Sequence, residues 1–480
     1  MHAVGRLMGY ARIPAACLLL LHAMFGGRSM ASPDIDRLSD LASKGDQTAL
    51  DSLVEIARRK KDSDAEYALG MMAYEGRGLE RNAKQAFQLM ERAAEKGHAE
   101  ANNMLGFFHE HGIGTPADPA KALAAFRRGA EAGSARARTN LGWLYEHGIG
   151  IGKDAAIAAD WYRLAADQGL AAAHANLASL YESGTGVAKN PVVAIALYER
   201  ALAGGVTAVA PRLGRLRESR GNLAEAADAY VIAANAKIPG ADFDAGRVLA
   251  DSGNPRRNVE QGVRWLEQSA LGGKVEAALL LAGMFDKGEG AGADARRAAG
   301  YFRQAAILGH AESAFRYAGF LDAEGGSGTD ADPLPWFRRA AEAGHAEAQY
   351  QLGSRIDARN DPDAWKEAAK WYRKAAGQGH LKAALRLGIA LETGRGIEAS
   401  PTEAIVWYQK AAGSNDPEAL YRLGNLFDRG IGTRPDFRRA RDYYSRAASL
   451  GHAGAARVLQ RIAGSPPLED LQSDPFKGMR

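Results

Sequence analysis

The chain has 480 residues, with 61 Lys and Arg against 57 Asp and Glu and a formal net charge of +4, so its overall charge gives no argument for nucleic acid or an anionic membrane as partner. A single cysteine, Cys17, excludes a disulfide framework and any paired-thiolate chemistry. Length alone would suggest about three domains, but most of the sequence is copies of one short unit, and a stack of repeats is one long domain whatever its length.

Residues 1–31 carry three bases (Arg6, Arg12, Arg28), no acid, and an apolar run from Ile13 to Phe25 that Pro14 and His22 interrupt, and they close on Ser29-Met30-Ala31. This is the pattern of a secretory signal peptide cleaved after Ala31. The run is short of the roughly 20 apolar residues that a spanning helix needs, so no membrane span is expected after cleavage. Without residues 1–31 the net charge falls to +1 and no cysteine remains. Residues 32–62 read as an atypical N-terminal helical cap.

From residue 63 the repeat takes over. Trp161-Tyr162-Arg163-Leu164-Ala165-Ala166-Asp167-Gln168-Gly169 returns as Trp371-Tyr372-Arg373-Lys374-Ala375-Ala376-Gly377-Gln378-Gly379 and, in part, as Trp407-Tyr408-Gln409-Lys410-Ala411-Ala412. The closing glycine of the unit falls at Gly97, Gly133, Gly169, Gly205, Gly273, Gly309, Gly344, Gly379 and Gly451, at intervals of 35 or 36 residues apart from one of 68 and one of 72. Within one copy, Ala137, Leu141, Leu144 and Tyr145 form the apolar stripe of a first helix, A, and Ala158, Trp161, Tyr162, Ala165 and Ala166 that of a second, B. Neither stripe can be buried alone, which makes the unit a helical hairpin that must stack on its neighbours. Between the helices recurs a Gly-x-Gly step, as in Gly112-Ile113-Gly114 and Gly148-Ile149-Gly150. It follows a helix rather than a strand, so it reads as a helix C-cap and turn and not as a phosphate cradle.

The last turn of helix A carries a row of acids: Glu110, Glu146, Glu182, Asp286, Asp322, Asp357, Glu392 and Asp428. Helix B offers a row of bases that includes Arg92, Arg163, Arg338, Arg373 and Lys410, and pairing between helices or solvation is the expectation, with an acidic ligand track as the alternative. Between residues 207 and 274 the Gly-x-Gly steps vanish and Gly221-Asn222-Leu223-Ala224-Glu225-Ala226-Ala227 looks like an ordinary tetratricopeptide loop. The reading in chain order is therefore a first arm over 63–206, degenerate tetratricopeptide-like repeats over 207–274, and a second arm with a final helix over 275–463. Residues 464–480, with Pro466-Pro467 and Pro475, show no helical period and are expected to be disordered.

The pattern Ala-x-Ala-x-x-x-Leu-Gly-x-x-Tyr-Glu-x-Gly-x-Gly, followed by Ala-x-x-Trp-Tyr-x-x-Ala-Ala-x-x-Gly, resembles the Sel-like repeat, a variant of the tetratricopeptide solenoid. The resemblance covers about residues 63 to 463 and implies an all-α fold, a right-handed α-solenoid of stacked hairpins. It implies a protein-binding scaffold rather than an enzyme, with no cofactor, and a concave groove lined by helix A positions outside the packing set: Asn103, Phe107, Thr139, Trp143, Ile389 and Asn425. Phe107 and Trp143 are large aromatics at equivalent places in adjacent repeats and are the expected anchors for a peptide or a sugar. If they serve binding alone, replacing both by alanine should leave the thermal midpoint nearly unchanged.

The alternatives weaken on the residues. No serine has a lysine three positions later, as a penicillin-recognising nucleophile would require, and the paired cysteines of cysteine-rich Sel-like proteins are absent. His109 and His111 project about 200° apart on one helix and cannot chelate together, so no metal is expected. His98, His310, His345, His380 and His452 each follow a closing glycine, near the negative end of helix B, where a structural role is expected. By resemblance, the setting is a periplasmic scaffold of a cell-envelope assembly such as exopolysaccharide synthesis and export. The alternatives are a periplasmic regulator that binds a sensor kinase and a secreted effector or cell-wall-binding protein, with polysaccharide as a further ligand class.

Overall fold

The computed structural model describes residues 33–289, 292–324 and 332–463. The signal-peptide expectation for residues 1–31 and the disorder expectation for 464–480 therefore lie outside the described residues. Among the described residues there are 25 α-helices and no strand, besides a 3-10 turn at Thr207–Val209 and a π-turn at Ile56–Lys60. The fold is an all-α solenoid. The chain divides into two compact units, Met1–Trp265 and Leu266–Arg480, and the division falls inside the helix Val259–Leu271.

In the first unit, helices Pro33–Ser43 and Gln47–Glu55 precede the hairpins Ser63–Glu75 with Ala83–Glu95, Ala99–His111 with Pro119–Glu131, Ala135–His147 with Ala155–Ala166, and Ala171–Ser183 with Pro191–Ala203. Shorter helices follow at Ala210–Glu218, Leu223–Asn235 and Ala241–Ala250. In the second unit the hairpins are Val275–Lys287 with Ala295–Ile307, Ala311–Ala323 with Leu334–Glu342, Ala346–Asp357 with Pro362–Gly377, Leu381–Thr393 with Pro401–Ala412, and Pro417–Arg429 with Phe437–Ser449, before the helix Ala453–Ala463.

Capping fixes these boundaries. Before most B helices an Asp or Asn accepts the first free amides, as Asp118 Oδ1 does from Ala120 and Lys121. Proline occupies the first turn at Pro119, Pro191 and Pro401, where its missing N–H costs nothing. A helices end on a left-handed glycine, such as Gly112 at φ 67°. The second glycine of each turn has a different task. At Gly114 (φ +67°) an added Cβ would lie 2.2 Å from the Ala83 carbonyl oxygen, the first residue of the preceding B helix, and Gly186 and Gly432 abut Ala155 and Pro401 in the same way. The Gly-x-Gly step is thus a C-cap followed by a contact between consecutive repeats.

Inside several hairpins a helix A glycine forms the slot for a B-helix ring. A Cβ on Gly142, Gly388 or Gly424 would meet Tyr162, Tyr408 or Tyr444 at 2.8, 2.5 and 2.5 Å. These tyrosines are fully buried, each worth roughly 1.5–3 kcal/mol of transfer free energy. Their hydroxyls cannot go unpaired, and this is what the acid row supplies. Tyr162, Tyr198 and Tyr408 donate to Glu146, Glu182 and Glu392 at 2.7, 2.6 and 2.5 Å.

The acids find bases, but not those the sequence proposed. Glu182, Asp322 and Glu392 pair with Arg212, Arg355 and Arg422 at 2.9, 2.7 and 2.9 Å, and each of these arginines stands on the following A helix. The B-helix bases turn elsewhere: Arg163 to Asp160, Arg373 to Glu403, and Lys410 onto the Trp407 ring. The reason is geometric. An acid in the last turn of helix A lies over its own hairpin's tyrosine and beside the next A helix, whereas these B-helix bases are met by residues of their own or the next B helix.

The histidines after the closing glycines are structural, though not through the dipole of helix B. His98, His345, His380 and His452 are N-caps of the next A helix, each ring accepting an amide N–H at Nδ1 at 3.0 to 3.1 Å. Accepting there fixes the proton on Nε2, which in His345 and His380 reaches Glu312 and Glu347 of the preceding A helix at 2.8 Å. Each ring also stacks on an aromatic of that helix, Phe315 and Tyr350 in these two. Ser134 plays the same part in the first unit, capping Ala137 while its hydroxyl donates to Glu100.

Helix pairing persists where the repeat pattern fades. Tyr230 fills the slot opposite Gly214 and donates to Glu218 at 2.9 Å, and Arg247 grips the same carboxylate with two bonds of 2.7 and 2.9 Å.

Candidate functional site

The sequence-derived groove residues divide sharply. Thr139 is completely buried and its hydroxyl bonds the Ala135 carbonyl, so it lines no groove. Asn103 is 5% exposed and its side-chain oxygen accepts from Asn140 at 2.9 Å, a tie between adjacent A helices rather than an open ligand position. Asn425 accepts from the Tyr444 hydroxyl, taking the role an acid plays in other repeats. Ile389 is half-buried and packs on the core of the second unit. The helix position thought to face outward is in part the seam between repeats, because the next A helix covers it.

Phe107 and Trp143 remain at the surface as half-buried rings. Both rest on the core around Phe126 and Leu144. Each lies one turn before a histidine: Phe107 and His111 have centroids 4.2 Å apart, and Trp143 and His147 4.6 Å. Both imidazoles place Nδ1 3.0 Å from the carbonyl of their own aromatic, and a carbonyl can only accept, so Nδ1 carries a proton and, in the neutral ring, Nε2 is left as an acceptor. This is the opposite tautomer from the capping histidines. With the His111 side chain 40% exposed, the face offers two aromatic platforms, each edged by a hydrogen-bond acceptor.

Next to His111 stands Glu110, which lacks the two partners that Glu182 and Glu392 have. Its hairpin supplies Phe126 where Glu146, Glu182 and Glu392 meet a tyrosine, and the next A helix supplies Asn140 where Glu182 and Glu392 meet an arginine. Burial pushes the Glu110 carboxyl above its usual range, against a smaller downward pull from His111, its only ion-pair neighbour among the described residues at 3.9 Å. Two rings, two imidazole acceptors and a carboxyl that no described arginine or lysine reaches form a surface for an apolar side chain accompanied by N–H donors or a base. The sequence singled out the rings. Glu110 was legible too, in the absence of tyrosine at 126 and arginine at 140.

Among the described residues no three His, Cys, Asp or Glu side chains converge as a metal site. No helix of the described residues is long and apolar enough to cross a membrane.

The Sel1 repeat family model matches residues 63–98, 99–134, 135–170, 171–206, 243–274, 275–310, 336–345, 346–380, 381–416 and 417–452. It omits 207–242, within the stretch where the sequence pattern fades. No curated protein matches the chain at a significant level. Among solved structures, the chain is similar to c5321, a protective antigen of uropathogenic Escherichia coli strains with an SLR fold. The two share 26% identity over 91% of this chain and 92% of that one, with a TM-score of 0.53. A Sel1 repeat protein from Oxalobacter formigenes shares 24% identity over 57% of this chain and 97% of its own, with a TM-score of 0.34. With repeat matches spread over more than half of its length, the chain belongs to the Sel1 repeat family.

Proposed function

We propose that this protein is a non-enzymatic interaction scaffold of the cell envelope, exported by its first 31 residues, which holds a partner protein along the A-helix face of its first unit. The observation that carries the binding role is the Phe107 and Trp143 pair with its acceptor-bearing histidines and the Glu110 carboxyl beside His111. Anchors of this kind, a few aromatics on a well-packed base, dominate binding energy at protein interfaces. Repeats that recur build the stack, and these residues depart from the repeat. Export rests on the signal-like composition of residues 1–31, and a role in an assembly such as exopolysaccharide synthesis and export rests on the resemblance to periplasmic Sel-like proteins.

Affinity capture from envelope extract, comparing the native chain with the F107A/W143A and E110Q variants, tests this reading. Outer-membrane or export-complex partners retained by the native chain and lost from both variants support it. Capture of a sensor kinase would make the chain a regulator, and retention only on peptidoglycan or host material would sink the envelope scaffold. N-terminal sequencing of the exported chain checks cleavage after Ala31.

A further inference from the structure

Phe107 and Trp143 are 36 residues apart and hold the same place on two successive A helices, Ala99–His111 and Ala135–His147. These helices lie side by side: Asn140 donates to Asn103 at 2.9 Å, and Glu100 accepts from Ser134 at 2.8 Å and from Arg136 at 3.2 Å. Both rings rest on one shared core, so they stand one helix spacing apart, about 8–10 Å. The acceptors repeat at the same spacing, because His111 and His147 each follow their ring by four residues. The row is two repeats long. One repeat earlier the position is Met71, and one repeat later it is Ser179, whose hydroxyl is taken by Arg212 at 3.0 Å.

A ligand that serves both platforms must present an apolar side chain with an N–H donor, and present the same pair again about 8–10 Å further on. A β-strand fails on spacing: its side chains on one face lie about 6.7 Å and then about 13 Å apart, and residue i+3 points the other way. An α-helix brings residues i and i+7 about 10.5 Å apart, but its amides are spent within the helix and leave both imidazoles unmet. Polyproline II meets both conditions. With three residues per turn and a rise of about 3.1 Å, residues i and i+3 share a face about 9.3 Å apart, and the backbone makes no internal hydrogen bonds. Residues i and i+3 must keep their N–H, which confines proline to the places between and after them. Glu110 adjoins His111 at 3.9 Å, whereas the equivalent Glu146 accepts from Tyr162, so a base belongs beside the residue on Phe107 and gives the ligand a direction.

Granted that this face holds a partner protein, we propose that the segment it holds is a polyproline II stretch. Apolar residues three apart lie on Phe107 and Trp143, their amides donate to Nε2 of His111 and His147, and a lysine or arginine beside the first meets Glu110.

Fluorescence polarisation of labelled synthetic peptides on the full chain tests this. The probe is Lys-Leu-Pro-Ala-Leu-Pro-Ala, compared with peptides of the same composition whose leucines are two or four apart and with a helical peptide whose leucines are seven apart. The three-apart peptide should bind about tenfold tighter or more than each of the others, and F107A/W143A should abolish the preference. N-methylation of its two leucine amides should weaken it about fivefold or more with the protein unchanged, and N-methylation of the first alanine should not. Exchanging its lysine for glutamate should weaken binding to the native chain and leave binding to E110Q nearly unchanged. Equal or tighter binding by the other spacings or the helix, indifference to leucine N-methylation, or binding by none of the peptides would each overturn the polyproline II ligand. If capture of an envelope protein still depends on Phe107 and Trp143, the scaffold stands without it. Peptide binding and capture both untouched by F107A/W143A would end both.

Discussion

Replacing Gly388 by alanine isolates the hairpin's central packing contact, because local propensity and tertiary fit predict opposite signs. In a helix interior the change alone favours folding by about 0.5–1 kcal/mol, since glycine loses more backbone freedom than alanine. Here the new Cβ would stand 2.5 Å from Tyr408 Cε1 and 2.7 Å from Cδ1. That ring is fully buried, and its hydroxyl is tied to Glu392 at 2.5 Å, so it cannot step back without losing either contact or hydrogen bond. Overpacking of a well-filled core costs about 1–3 kcal/mol, and weakening a bond to a carboxylate adds up to about 1.5–3 kcal/mol. The expected net effect of G388A is a loss of about 1–3 kcal/mol. G300A and G319A are controls, because neither Cβ meets any atom within 4 Å, and each should gain about 0.5–1 kcal/mol. Urea unfolding gives the totals. Amide exchange over Leu381–Thr393 and Pro401–Ala412 shows whether the loss is local, as a solenoid that opens repeat by repeat requires. G388A as stable as the native chain, with both controls stabilised, would refute the slot.

Three further outcomes follow from the same geometry. G114A should cost about 3 kcal/mol or more in urea unfolding, because a left-handed φ of +67° adds to a Cβ only 2.2 Å from a carbonyl oxygen, whereas G97A, left-handed but with nothing within 4 Å, should cost about 1 kcal/mol. Burial holds the imidazoles of His98 and His109 below their ordinary range, the first despite Asp64 and Glu100 and the second helped by Lys121. Below a pH of about 6.5 the unfolded chain binds protons that the folded chain refuses, so stability should fall as the solution is acidified. H98N, which keeps a capping oxygen, should flatten that slope, and an unchanged slope would remove His98 as a source. F107A/W143A should weaken partner capture at least tenfold. Because both rings rest on Phe126 and Leu144, the variant should also lose about 1–2 kcal/mol per ring, as partly buried large-to-small changes do. An unchanged midpoint with lost capture would make the rings pure ligand contacts, the sequence's own expectation.

The repeat made the hairpin legible because its residues are under one local constraint each: a stripe at 3.6-residue spacing, a cap, a left-handed glycine. What the sequence misassigned were relations between repeats. Charge rows on helices A and B suggested that one neutralised the other, yet Glu182 and Glu392 reach forward to Arg212 and Arg422 on the next A helix, about 30 residues on. Periodicity gives the face a residue occupies but not which neighbour that face meets. The same blindness placed Thr139 in a groove, though the stacking of A helices buries it entirely.

Knowing the inter-repeat partners turns the acid row into a way of finding function. Wherever tyrosine and arginine both arrive, as at Glu392, the carboxylate is consumed by the stack, and removing it would leave a buried hydroxyl and a cation unpaired. Where both fail to arrive, as at Glu110, the carboxyl is 36% exposed and has only His111 beside it among the described residues, at 3.9 Å, while partial burial raises its pKa. Such a carboxyl adds little to the stack, and it adjoins the Phe107 and His111 pair, which also departs from the repeat. The missing tyrosine and arginine at Glu110 and the sequence variation at Phe107 and Trp143 therefore point to one surface, which is why the E110Q variant should weaken capture while leaving stability unchanged or raised. Lowered stability in E110Q would mean that the carboxyl has a structural partner after all.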